Sequence, residues 1–343
     1  MKEYRLVLIG FGNVGKAFAR LLLRKEEALR ELEGITFKVT GILTGRHGGM
    51  ISPQGIDLEQ ALEMVESGQS LTQFSALPVP TDGIEFIKNC PGDVMLETTP
   101  VNHHTGQPAI DHIRVALESG MHVVTANKGP VVHGYRELTD LAAKQGRKFY
   151  FESAVMDGAP IFSLFRETLP LADLRSFRGI LNSCTNMILG RMENGETLEE
   201  AIVYGQSIGI TETDPSADID GWDASIKVAA LTSVLMGIPC KPEDVDRTGI
   251  RGITQIDLQQ AAKQGKRWKL VCTASRHGDH VHTRVAPEMV DPTSVLYSIQ
   301  GTSSYCQFDL DTLPGLGIVE SDPGPETTAY GMLADWINCA RSD

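Results

Sequence analysis

The chain has 343 residues, 41% of them hydrophobic and 22% charged, the composition of an ordinary globular protein of about two domains. Its 31 Lys and Arg stand against 44 Asp and Glu, a net charge of −13, so nothing draws the molecule as a whole to nucleic acid or an anionic membrane. No apolar run approaches the ~20 residues of a membrane span.

Met1–Arg5 leads straight into an apolar strand rather than a signal peptide, and the six cysteines form no Cys-x-x-Cys pair. Both features fit a reduced, cytoplasmic setting. Arg5–Ile9 reads as the first strand. Gly10, Phe11, Gly12, Asn13, Val14 and Gly15 follow at once as Gly-x-Gly-x-x-Gly, and a helix with Val14, Phe18, Leu21 and Leu22 on one face comes next. Strand, glycine fingerprint and helix in that order make a dinucleotide site. The first glycine turns the chain, the second lets a pyrophosphate approach, the third packs helix on sheet, and the helix N-terminus offers N–H groups to phosphate.

A second strand is expected at Thr36–Leu43. It ends at Arg46 with no carboxylate beside it, which favours the 2′-phosphate of NADP over NAD. The alternative is a solvated loop arginine. Residues 50–90 read as helix and connection. Asp93–Pro100 reads as a buried parallel strand ending in Thr98 and Thr99, where ligands sit in an open parallel sheet. His122–Thr125 is another strand, and Lys128 follows it at the same crevice. His103 and His104 lack the cysteine or carboxylate neighbours of a metal site.

Helix is expected at Tyr135–Gln145 and strand at Lys148–Glu152. The alternation then changes character, which places a domain boundary near residue 150. The first 150 residues are read as an α/β Rossmann-type, doubly wound parallel sheet. Helix is expected at Ile161–Leu169, strand at Leu174–Leu181, and helix from Met187 and from Thr197. Thr211–Lys227 then carries Glu212, Asp214, Asp218, Asp220 and Asp223 before a single lysine, Lys227. Asp223 and Lys227 are four apart on a helical pattern. They are either a surface ion pair or part of a pocket that holds an ammonium group and moves a proton. Lys269–Ala274 and Val281–Pro287 read as strands about a turn at His277–His280, with exposed histidines at its tip. Gly317–Glu320, a loop and a helix at Thr327–Ala340 complete the chain.

These motifs together resemble the homoserine dehydrogenase family over nearly the whole chain. They include the fingerprint, Thr125-Ala126-Asn127-Lys128, Gly179-Ile180-Leu181-Asn182 before Thr185-Asn186, and Gly209-Ile210-Thr211-Glu212-x-Asp214-Pro215. Gly221-x-Asp223-x-x-x-Lys227 is the most specific. The resemblance implies NAD(P)-dependent interconversion of L-homoserine and L-aspartate 4-semialdehyde, in the aspartate-derived route to threonine, methionine and isoleucine. It implies Lys227 as acid/base, Lys128 close to cofactor and substrate, and Gly209, Glu212, Asp218 and Asp223 around the substrate. It also implies an α+β catalytic and dimerisation domain at 151–320, a C-terminal segment at 321–343 returning to the nucleotide domain, and a homodimer. A sodium ion is often bound in the family around the positions of Glu152, Val155, Asp157 and Ala159. No C-terminal regulatory domain, and no threonine feedback through one, is expected. Ser183-Cys184 and Met156-Asp157 depart from the family pattern. They leave open a related dehydrogenase acting on another amino-acid-like alcohol or aldehyde; a sensor that binds nucleotide without turnover is the other alternative.

Overall fold

The computed structural model describes residues 1–211 and 214–341. Contacts divide the chain into two units: residues 1–158 with the C-terminal helix Pro325–Arg341, and residues 159–324. No helix among the described residues is long and apolar enough to cross a membrane.

The first unit runs β1 (Lys2–Ile9), α1 (Asn13–Ala28), β2 (Ile35–Leu43), β3 (Gly49–Ile51), α2 (Leu58–Glu66), α3 (Gly83–Asn89), β4 (Val94–Glu97), α4 (Ala109–Glu118), β5 (His122–Thr125), α5 (Lys128–His133), α6 (Tyr135–Lys144) and β6 (Phe149–Tyr150). The sheet order is β3-β2-β1-β4-β5-β6. All neighbours are parallel except β3, which pairs antiparallel with β2 at the edge. Leu6, Val7, Leu8 and Ile9 are all buried, as a strand covered on both faces requires. On α1, Phe18, Leu21 and Leu22 are buried while Arg20, Arg24 and Lys25 face water. The C-terminal helix packs Met332, Leu333 and Trp336 into the same core. The strand order reverses between β1 and β4, so their carboxyl ends open the crevice where such folds bind ligands.

One expectation needs correction here. Residues 50–90 contain the short edge strand β3 as well as helices, because the turn at Thr44–Gly48 folds Gly49–Ile51 back on β2. The division falls after Gly158. Residues beyond β6 are tied to the C-terminal helix: the Glu152 N–H donates to Asp335 (2.6 Å), and the Ser153 hydroxyl to the Thr328 carbonyl (2.7 Å). The helix expected at Ile161–Leu169 is present over residues 162–168, widening from α to π winding at Leu164–Thr168. Pro170 disfavours helical backbone at Leu169, whose φ is −119°.

The second unit runs β7 (Leu174–Ile180), α7 (Ser183–Glu193), α8 (Leu198–Ser207), α9 (Ser216–Ile219), α10 (Trp222–Leu235), β8 (Asp246–Arg247), α11 (Gln255–Lys263), β9 (Arg267–His277), β10 (His280–Val290), α12 (Val295–Ser298), β11 (Ser304–Leu310) and β12 (Leu316–Glu320). Its sheet order is β12-β11-β7-β9-β10-β8, antiparallel but for the β8–β10 pair. β9 and β10 form the expected hairpin, with His277 opposite His280 and both exposed. Strand β11 escaped the sequence reading, although Ser304, Cys306, Phe308 and Leu310 alternate inward along it. α7 begins four residues before Met187, because the Asn182 side chain accepts the Thr185 N–H (2.7 Å) and caps the helix there.

Candidate active site

In the first unit the chain leaves β1 through Gly10 at φ +93°. A Cβ there would lie 2.6 Å from the Thr98 backbone, so only glycine fits the turn. Thr98 locks that approach: its hydroxyl donates to the Gly10 carbonyl (2.9 Å) and its N–H to Ile9 (2.8 Å). A Cβ on Gly15 would meet the Gly10 carbonyl at 2.6 Å, which keeps α1 tight against the turn. Gly12 differs. It is exposed, and a Cβ on it would meet no protein atom within 4 Å. The protein's own packing does not demand glycine there, but the close approach of a pyrophosphate would. Gly12 caps α1 with no side chain, which leaves the first-turn N–H groups for an anion. Phe11 is buried, Val14 half-buried and Asn13 exposed. Arg46 is exposed in the turn that closes β2. Thr99 follows Thr98, and Lys128 opens α5 behind the cap Asn127.

In the second unit Asn182, at the end of β7, joins two carboxylates. Its amide donates to Asp218 Oδ1 (2.7 Å) and Asp223 Oδ2 (2.9 Å). Gly221, at φ +80°, turns the chain sharply into α10, on which Asp223 and Lys227 share a face. Lys227 Nζ lies 3.1 Å from Asp223 Oδ2 and donates to the Leu181 carbonyl (2.7 Å). Their side chains are only 14% and 15% exposed, so this is not a solvated surface pair. Burial, and next the neighbouring Asp223, push the Asp218 carboxyl up to about 6. Cys184 lies under the cluster with its Sγ 3.2 Å from the Thr211 hydroxyl, and burial pushes its thiol up to about 12. Gly209 is an exposed turn residue after α8, at φ +75°. Glu212 lies outside the described residues. The sequence reading gave Asn182 no role, although a polar residue directly after a buried strand was a usable signal.

A family model described as homoserine dehydrogenase matches residues 160–337. A second, described as homoserine dehydrogenase, NAD binding domain, matches residues 10–152. The chain belongs to the homoserine dehydrogenase family. The homoserine dehydrogenase of Methanocaldococcus jannaschii is 36% identical over 338 residues, 98% of each chain. The NAD(+)-dependent homoserine dehydrogenase of Pseudomonas canavaninivorans is 32% identical over 343 residues, 100% of this chain and 97% of that protein. A hyperthermophilic archaeal homoserine dehydrogenase in complex with NADPH superposes with a TM-score of 0.84 at 29% identity, covering 100% of this chain and 99% of that one. Homoserine dehydrogenases are NAD(P)-dependent oxidoreductases acting on a CH–OH group, and the glycine turn and helix N-terminus described above fit such a nucleotide.

The passage singled out for sodium follows β6 as a short, largely buried turn. Glu152, Val155 and Ala159 are buried. Asp157 Oδ1 already accepts the Thr328 hydroxyl (2.7 Å). Among the described residues no group of three or more His, Cys, Asp or Glu side chains could hold a metal ion.

Proposed function

We propose that Lys227 is the acid/base that exchanges the hydroxyl proton as L-homoserine and L-aspartate 4-semialdehyde interconvert. The observation that carries this is the half-buried lysine held between the Leu181 carbonyl and Asp223. An ammonium with two acceptors around it is set up to donate, so it acts as the acid that protonates the forming alkoxide in aldehyde reduction. Asp218 and Asp223, together with Glu212 by resemblance, bind the substrate ammonium through charge-assisted hydrogen bonds. Asn182 keeps the two described carboxylates at a fixed spacing.

The nucleotide supplies the hydride chemistry when bound. Gly10 to Gly15 and the N-terminus of α1 hold its pyrophosphate, with Thr98, Thr99 and Lys128 at the neighbouring strand ends. Arg46, with no carboxylate at the end of β2, supports NADP over NAD. The sheet of the second unit forms a homodimer, and the enzyme works in the cytoplasm on the aspartate-derived amino-acid route.

The test follows nucleotide absorbance with aspartate semialdehyde, using NADPH and NADH in parallel. Rapid oxidation, faster with NADPH, is expected. Lys227→Ala should keep nucleotide binding and lose at least 100-fold in kcat, within the usual range for one acid/base group. Activity within a few-fold of wild type would remove Lys227 from the role.

A further inference from the structure

We infer that Glu97 is a positioning residue for nucleotide binding, the buried hub that fixes the two loops after β4 and β5. The inference rests on the nucleotide reading of the first unit. Glu97 is the last residue of β4 and is fully buried among apolar strands. A carboxyl group in such a place is costly unless its oxygens are satisfied. Here they are. Oε1 accepts the Thr99 N–H (2.8 Å) and the Thr99 hydroxyl, and Oε2 accepts the Thr125 hydroxyl (2.6 Å). Burial pushes the Glu97 carboxyl up, while bonds from Thr125, Thr99 and Asn127 oppose that rise.

The network continues past its first partners. Thr125 accepts the Asn127 N–H (2.9 Å), and the Asn127 amide donates back across to the Thr99 carbonyl (3.1 Å). Asn127 Oδ1 then accepts the Gly129 N–H (3.0 Å), capping the helix that opens with Lys128. One side chain therefore sets the backbone of Thr98–Thr99, whose hydroxyl and N–H pin the glycine turn, and the start of the helix that presents Lys128. Glu97 itself is shut off from solvent, so it acts through these residues rather than on a ligand.

The deciding experiment compares wild type, Glu97→Leu, Glu97→Gln and Thr125→Val. NADPH affinity is read by fluorescence, KM values are taken for NADPH and for aspartate semialdehyde, and Tm is recorded. Leucine keeps the bulk and leaves the Thr99 N–H and the hydroxyls without an acceptor. We expect at least a tenfold rise in both Kd and KM for NADPH, with the KM for the aldehyde within about threefold. Glutamine, which still accepts from Thr99, should recover NADPH affinity to within about threefold of wild type. Thr125→Val removes one donor from the hub and should weaken NADPH severalfold, which keeps the test open should Glu97→Leu not fold. A lower Tm with unchanged NADPH affinity in Glu97→Leu, or in Thr125→Val if only that variant folds, would reduce Glu97 to a fold-stabilising residue and overturn the inference. A wild-type protein that does not bind NADPH would overturn the nucleotide reading itself, a result distinct from wild type and variants binding alike.

Discussion

Asp218, on the proposed reading a ligand to the substrate ammonium, shows how such a cluster trades stability for readiness to bind a cation. Its carboxyl is pushed up to about 6 by burial and then by Asp223, so the folded protein holds this proton more tightly than the unfolded chain, where the value is ~3.9. The sign follows from that difference. The contribution is fully present below the unfolded value and is lost as pH rises through the folded one, leaving an ionised carboxylate that disfavours the fold at pH 8. The shift corresponds to a penalty on the order of 3 kcal/mol. Asp218→Asn should therefore raise Tm at pH 8, with the gain fading toward pH 4, while activity falls because a ligand to the substrate ammonium is gone. Calorimetry at the two pH values checks this. An equal change in Tm at both would show that the carboxyl is not under strain from burial.

At the scale of elements, the β1–turn–α1 unit separates glycines that the fold needs from one that the ligand needs. Gly10→Ala forces a side chain at φ +93° into the Thr98 backbone 2.6 Å away, so stability and nucleotide affinity should fall together. Gly12→Ala meets no protein atom within 4 Å, so its Tm should stay within a degree or two of wild type while NADPH affinity drops at least tenfold. Thermal melts with and without NADPH compare the two; a Gly12→Ala protein that binds NADPH normally would show that the pyrophosphate does not approach there. This turn was legible in sequence because every part of it is local: a buried apolar run, three spaced glycines and an amphipathic helix within thirty residues. The proposed substrate cluster was legible only in part. Asp223 and Lys227 are neighbours on one helix, but Asn182 reaches Asp218 and Asp223 across 36 and 41 residues of chain. Glu97 read as one residue of a strand ending in Thr98 and Thr99, because its partners Thr125 and Asn127 lie at the end of the next strand and in the turn after it. Helix α7 started early for a similar reason, since a capping side chain overrode the apolar period. Strand β11 did carry a period-2 signal, blurred by the polar Ser304 at an inward position and by Tyr305, buried between two inward residues.

At the scale of the whole molecule, the chain leaves the nucleotide unit at residue 158 and comes back to it at 325, so that unit cannot complete its core until the last segment is present. Trp336 shows why. It is fully buried, edge-on to Tyr4 (6.2 Å) on β1 and to Phe37 (5.9 Å) on β2, in one core with Leu6, Leu8, Phe18 and Leu22. The tail thus packs against strands laid down at the very start of the chain. Trp336→Ala removes the largest buried side chain of this core and should cost about 3–5 kcal/mol. That loss should be specific to one unit. Because NADPH binds only the folded nucleotide unit, it raises that unit's unfolding transition by mass action, which identifies the transition wherever the two units unfold separately. The transition that NADPH moves up is then the one that Trp336→Ala moves down, and excess NADPH should recover part of the lost stability. Urea titrations of both proteins, with and without NADPH, decide it. If the substitution lowers only a transition that NADPH leaves in place, the C-terminal helix does not complete the nucleotide unit.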